Sequence, residues 1–228
     1  MDQCAIVPLV HADDLAAATA LVAGEAPLVC VVRSVLGAVT EERVVVATLP
    51  TLAAGARACL RAAGLGTAIA VAREPGSRSQ VIRAGLEYLG AEPDTPASVL
   101  ICDHRYPLSP SEVADGVLAA LRGGHDVVVP TLPVTDTVKT VDERGSVLST
   151  VDRSTLRTVQ YPRGFTASVL WRLVSISPAS TSDDVDEFGA ALRAGLDIGT
   201  VAGDANAFHV ELPRDAQLLD AVIACRPD

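Results

Sequence analysis

The chain has 228 residues, 49% of them apolar but only 3% aromatic, and a formal net charge of −10. That size suits one large α/β domain with a core of Val, Leu, Ala and Ile. The acidic excess argues against a nucleic acid or an anionic membrane surface as partner, because no basic face survives it.

No apolar run approaches the roughly 18 residues of a membrane span, and the first residues lack the basic start of a signal peptide. Cys4, Cys30, Cys59, Cys102 and Cys225 show no C-x-x-C spacing. They read as reduced thiols of a cytoplasmic protein.

Residues 4–8 are expected as a buried strand and 13–22 as an Ala-rich helix capped by Asp13 or Asp14. Residues 27–36 are ambiguous: Leu-Val-Cys-Val-Val is β-rich, while Pro27 suits the first position of a helix. A strand at 44–48, a helix at 51–63 stopped by Gly64 and a strand at 68–72 follow. The loop 73–79 then leads into a helix ending at Leu89.

Ser98-Val-Leu-Ile-Cys-Asp-His-Arg-Tyr-Pro107 is the stretch around which the rest is organised. Its apolar part is too short for a helix and does not alternate, which fits a strand buried on both faces. It delivers Asp103, His104 and Arg105 at its carboxyl end, where open α/β sheets bind ligands. An Asp there suits a metal or a phosphate-bound magnesium. The plainer alternative is a turn cap in which Arg105 pairs with Asp103.

Ser109 or Ser111 is expected to cap a helix running to Arg122, with Glu112 favoured near its start and a strand at 127–129 after Gly123-Gly124. This alternation predicts a doubly wound, mostly parallel α/β sheet of Rossmann type, covered on both faces. After Pro130 the rhythm changes. Residues 136–141 and 147–150 flank Asp142-Glu-Arg-Gly145 and read as a β-hairpin too polar to form a core alone. A strand at 156–160, helices at 166–175 and 183–194, strands at 198–201 and 208–210, and a helix at 213–224 complete the chain. Only 175–182 has linker-like composition.

Several separated motifs carry a resemblance. Pro133-Val-Thr-Asp-Thr-Val-Lys139, Val151-Asp-Arg153, and Pro162 with Phe165 are similar to the arm of the bacterial 2-C-methyl-D-erythritol 4-phosphate cytidylyltransferases. The family's Val-His-Asp-Ala-Ala-Arg resembles Ile101-Cys-Asp-His-Arg-Tyr106. Its late Thr-Asp-(Asp/Glu) resembles Val185-Asp186-Glu187, and its final Lys-(Ile/Val)-Thr resembles His209-Val-Glu211. The match can be followed from Cys4 to about Ile223.

The resemblance implies a single nucleotidyltransferase-like domain over 1–228 with a dimerisation arm at about 133–155. It implies Mg2+-dependent transfer of CMP from CTP to a polyol phosphate of isoprenoid precursor synthesis. Asp103 would hold the metal and act with Arg153 as the catalytic pair, Arg153 reaching across a homodimer. Thr137, Arg105, Tyr161, Arg163 and His209 would bind the phosphorylated substrate. Pro8, Leu9, Val10, Gly76 and Arg78 would lie along the nucleotide.

The departures are concentrated on the CTP side. The family's first loop reads Pro-Ala-Ala-Gly-x-Gly-x-Arg, whereas this chain reads Pro8-Leu-Val-His-Ala-Asp-Asp-Leu15, with no glycine before Gly24. Glycines let amides approach phosphate, and the cations neutralise it. Lys139 is the only lysine in the chain. Three readings follow: a cytidylyltransferase with impaired or altered activity, an inactive paralogue that binds a small phosphate ligand or a partner as a regulatory subunit, or a different sugar-nucleotide transferase built on the same sheet.

Overall fold

The computed structural model describes residues 2–74, 76–176 and 186–225. In the first half, β1 (Asp2–Leu9), α1 (Ala12–Thr19), α2 (Pro27–Val35), β2 (Val44–Thr48), α3 (Pro50–Ala62), β3 (Ala68–Val71), α4 (Arg78–Leu89) and β4 (Ala97–Ile101) alternate strand and helix. The second half continues with α5 (Ser111–Arg122), β5 (Val127–Pro133), the hairpin β6 (Lys139–Val141) and β7 (Val147–Thr150), then β8 (Arg157–Val159) and β9 (Arg163–Thr166). It closes with α6 (Ala167–Ile176), α7 (Glu187–Arg193), β10 (Ile198–Ala202) and α8 (Ala216–Ala224).

The main sheet runs β10-β5-β9-β4-β1-β2-β3, with β8 added antiparallel to β5. Its ladders are parallel except where β9 enters antiparallel between β4 and β5 and where β8 joins. The fold is therefore the mixed, mostly parallel α/β sheet expected. The side-chain period of two splits β1 cleanly. Cys4 and Ile6 enter the core under α4 and α6, while Ala5, Val7 and Leu9 enter the core under α2, α3 and α5. Val99 and Ile101 against Leu100 and Cys102 make the same split in and just beyond β4. Both faces are covered, which is why these strands read as unbroken apolar runs.

The ambiguous stretch is a helix. Pro27 occupies its first turn, and Leu28, Val31, Val32 and Val35 lie buried on one face at helical spacing. Burial of that stripe overrides the β preference of its valines. Four expectations need correcting. The first helix starts at Ala12 with His11 as its N-cap, not Asp13 or Asp14. Pro110 occupies the N-cap of α5, while the Ser109 hydroxyl donates to the Tyr161 carbonyl at 3.0 Å. No ladder forms at 208–210: the Val210 amide instead makes a single bond to the Arg105 carbonyl, at 2.8 Å. The closing helix begins at Ala216, three residues later than expected. The start of the expected 183–194 helix and most of 175–182 lie outside the described residues.

Strand β9 has no strand signature in the sequence, because Arg-Gly-Phe-Thr offers one apolar side chain. Gly164 explains its place. A Cβ there would collide with Val117 and come within 2.8 Å of Leu121 Cδ1, so only glycine lets α5 settle onto the middle of the sheet.

Candidate functional site

From β1 the sheet grows toward β2 and β3 on one side and toward β4 on the other. The carboxyl ends of β1 and β4 therefore flank a topological switch point, where open α/β sheets bind ligands. Strand β9 runs the opposite way and pairs Arg163 with Ile101, so its start delivers Tyr161 and Arg163 to the same edge. Sequence positions 101–106 and 161–163 thus meet through sheet topology.

Asp103 is buried, and Arg105 wraps it. Oδ1 accepts from the Arg105 amide at 2.9 Å and from Nε at 3.0 Å, and Oδ2 accepts from Nη2 at 2.8 Å. Burial opposes the carboxylate charge, but the Arg105 bonds outweigh it and hold the pKa below the usual carboxylate value. The plainer expectation for Asp103, a turn cap paired with Arg105, describes this geometry.

His104 is buried beside it. Its Nδ1 lies 3.6 Å from Asp103 Oδ1, too far for a hydrogen bond, and has no partner. Burial pulls the imidazole pKa down, against the charges of Asp103 and Asp14.

Two further arginines sit at this edge, each already matched. Arg78 grips Glu187 with Nε at 3.0 Å and Nη2 at 3.1 Å. Arg163 donates to Asp186 and lies between aromatic rings, 4.1 Å from the Tyr161 centroid and 4.9 Å from that of Phe188. Asp186 in turn caps α7, accepting from the Gly189 amide at 2.8 Å. Tyr106 packs against Tyr161 at 5.2 Å and edge-on to His209 at 5.6 Å. Buried Gln160 anchors the segment before His209, donating to the carbonyls of Asp204 and Ala207.

The first loop is packed shut. Pro8, Leu9 and Val10 are buried, and Thr48 Oγ1 donates to the Leu9 carbonyl at 2.8 Å. The amides that follow are occupied: Asp14 Oδ2 accepts from Val10 at 3.1 Å and from His11 at 2.9 Å. Gly76 is hemmed in, since a Cβ there would strike Leu49 and come within 3.0 Å of the Arg73 carbonyl.

Thr137 and Arg153 are exposed on the arm. The Arg153 side chain donates to the Thr135 carbonyl within the arm. The structure thus brings together Asp103, Arg105, Tyr161, Arg163, Arg78 and His209. Leu9 and Val10 are held in the core beside them, and Thr137 and Arg153 stand on a separate element.

Among the described residues, no group of three or more His, Cys, Asp or Glu side chains could hold a metal ion. Asp103 already accepts three bonds from Arg105, so this donor set does not fit a resident Mg2+. The crevice bordered by Asp103, Tyr106, Ser109, Tyr161 and Pro162 holds only about 10 Å³. Two larger cavities, about 500 and about 590 Å³, lie along α2, both lined in part by Glu25 and Arg33.

The sequence profile of IspD, 2-C-methyl-D-erythritol 4-phosphate cytidylyltransferase, matches residues 11–224. The chain belongs to this family. It is 38% identical over 146 residues to the 2-C-methyl-D-erythritol 4-phosphate cytidylyltransferase of Rhodococcus jostii (strain RHA1), covering 64% of this chain and 62% of that protein. It is also 38% identical over 193 residues to the bifunctional enzyme IspD/IspF of Clavibacter michiganensis subsp. michiganensis (strain NCPPB 382), covering 84% of this chain and 46% of that one. The crystal structure of the cytidylyltransferase from Thermus thermophilus superposes with a TM-score of 0.72 at 23% identity, over 96% of this chain and 98% of the other. The aligned part spans less than two thirds of these curated relatives' length. Among the described residues, no helix is long and apolar enough to cross a membrane.

Sequence reasoning missed the partners that neutralise the site. Asp186 and Glu187 were visible as a motif without a role, and an Asp opening a helical run is a cap signature. Asp14 was visible as an acid near a helix start, but nothing local says which amides it takes.

Proposed function

We propose that the protein is a cytidylyltransferase-like IspD member that binds a small polyol phosphate but performs CMP transfer from CTP poorly. The observation that carries this reading is charge matching at the switch point. Arg78, Arg105 and Arg163 are each neutralised by Glu187, Asp103 and Asp186 in turn. Phosphoryl-type transfer relies on positioning and on surplus positive charge around the reacting phosphate. Here the cations are already spent on internal partners.

On the acceptor side Asp103, Thr137 and Arg153 are retained. Arg153 is exposed on the arm, available to a second copy of the chain. The reading therefore includes a cytoplasmic homodimer joined through the arm, with one nucleotidyltransferase-like unit per chain. A chain with no transfer at all would serve instead as a binding or regulatory subunit.

Thermal shift ranks the two ligands, because stabilisation follows RT ln(1 + [L]/Kd). Methylerythritol phosphate is expected to raise Tm more than CTP with Mg2+. Turnover should fall at least ~10³-fold below a competent relative, the cost typical of losing transition-state donors. A larger shift with CTP, or a normal rate, overturns the proposal. Acceptor binding with no turnover selects the regulatory form of it.

A further inference from the structure

The bond between Asp14 and the loop after β1 is more than a helix cap. The amides of Val10 and His11 are consecutive and stand at the carboxyl end of β1, beside the switch point. Consecutive amides of this kind form a concavity for anions. One oxygen, Asp14 Oδ2, fills it by accepting from both. A second observation marks the same place. His104, on the neighbouring loop after β4, is buried with an unpartnered Nδ1, and the Asp14 charge acts on it. A carboxylate is thus held by two amides, and its charge acts on a buried imidazole whose Nδ1 makes no hydrogen bond.

We infer that Asp14 is a specificity-determining residue, whose carboxylate stands in for a phosphate and closes the Val10 and His11 amides to a nucleotide donor. This deepens the reading above and rests on it. A phosphate group of a donor would have to expel a charged group from two hydrogen bonds and then accept its negative charge nearby. Asp13, next in sequence, is exposed and carries the same charge without those bonds. The effect belongs to the charge held on the amides, so Asp13 is its control.

The experiment is calorimetry on the full chain with inorganic tripolyphosphate and with CTP plus Mg2+, for the parent, Asp14→Ala, Asp14→Asn and Asp13→Asn. Removing a competing charge-assisted contact is expected to tighten tripolyphosphate binding by roughly tenfold or more in both Asp14 variants. Asp13→Asn should change it by no more than about threefold, as expected for a screened surface charge. Asp14→Asn keeps an acceptor for the amides, so it decides the matter should Asp14→Ala unfold.

Folded Asp14 variants that bind no tighter than the parent overturn the inference, as does an equal gain from Asp13→Asn. Either result leaves the impaired-donor reading standing if the parent still fails to turn over CTP. A parent that turns over CTP at a normal rate overturns both.

Discussion

The Arg105 guanidinium lies along the Asp103 carboxylate, Nε to Oδ1 at 3.0 Å and Nη2 to Oδ2 at 2.8 Å, while the backbone amide of the same arginine adds a third bond. The two residues are two positions apart, so the loop after β4 closes on itself. A carboxylate at the carboxyl end of a central strand would otherwise be an obvious ligand for a cation. Here it already has one.

Arg105→Ala would leave Asp103 buried with its amide bond alone. Removing one partner of a buried pair costs about 3–5 kcal/mol. The Arg105 side chain is 44% exposed, and solvent screening brings the expectation down to roughly 1–3 kcal/mol. Arg105→Lys restores charge but not the fork, and should recover only part of the loss. Urea unfolding of the three proteins at pH 7 measures this, and an Ala variant as stable as the parent would show that the pair contributes nothing.

Gly164→Ala tests how β9 is seated. Its methyl would meet Val117 and Leu121 of α5. Overpacking a well-filled core costs typically 1–3 kcal/mol, and about that loss is expected here. A neutral Ala variant in thermal unfolding would mean that α5 can lift off β9 freely.

Strands β1, β2, β4 and β5 were legible because burial on both faces leaves no polar residue to interrupt them. The helix at Pro27 was half legible: its valines have β propensity, and only the spacing of Leu28, Val31, Val32 and Val35 reveals one buried stripe. Strand β9 was not legible, since its glycine and single phenylalanine gain meaning only from α5 above them. The candidate site divides similarly. Asp103 and Arg105 were readable as neighbours. The pairing of Arg78 with Glu187 joins residues 109 positions apart, and it required the fold. No local pattern announces that an arginine is already neutralised.

The arm gives a third prediction. Val141, Val147 and Leu148 are all more than half exposed on a two-stranded ribbon, and two strands alone are marginal in water. A homodimer formed through this ribbon is expected at micromolar concentration, and Leu148→Asp should shift it to monomer. Light scattering on both proteins decides the point. A monomeric parent, or a variant that dimerises as well as the parent, would rule the arm out as the contact.

The last prediction concerns Arg163 and the cap of α7. Burial disfavours the Asp186 charge, but Arg163 and the Gly189 amide prevail and hold its pKa below the ordinary 3.8. A carboxyl group whose pKa is lowered by folding stabilises the protein above its unfolded value and loses that contribution as pH falls through the folded value. Arg163→Ala removes the main favourable partner and the stack between Tyr161 and Phe188.

Asp186 is about a third exposed, at 32%, so the expected loss at pH 7 is roughly 2–3 kcal/mol, below the buried-pair range. Part of that difference belongs to the Asp186 charge and should shrink below pH 3.8, while the stacking part persists. Arg163→Lys retains charge without the planar stack, and should fall between parent and Ala. Hydrogen exchange provides the local readout: amides of 187–193 should lose protection before those of α4. If the parent–Ala difference does not shrink as pH falls from about 7 to below 3.8, the Asp186 charge is not what Arg163 holds in place.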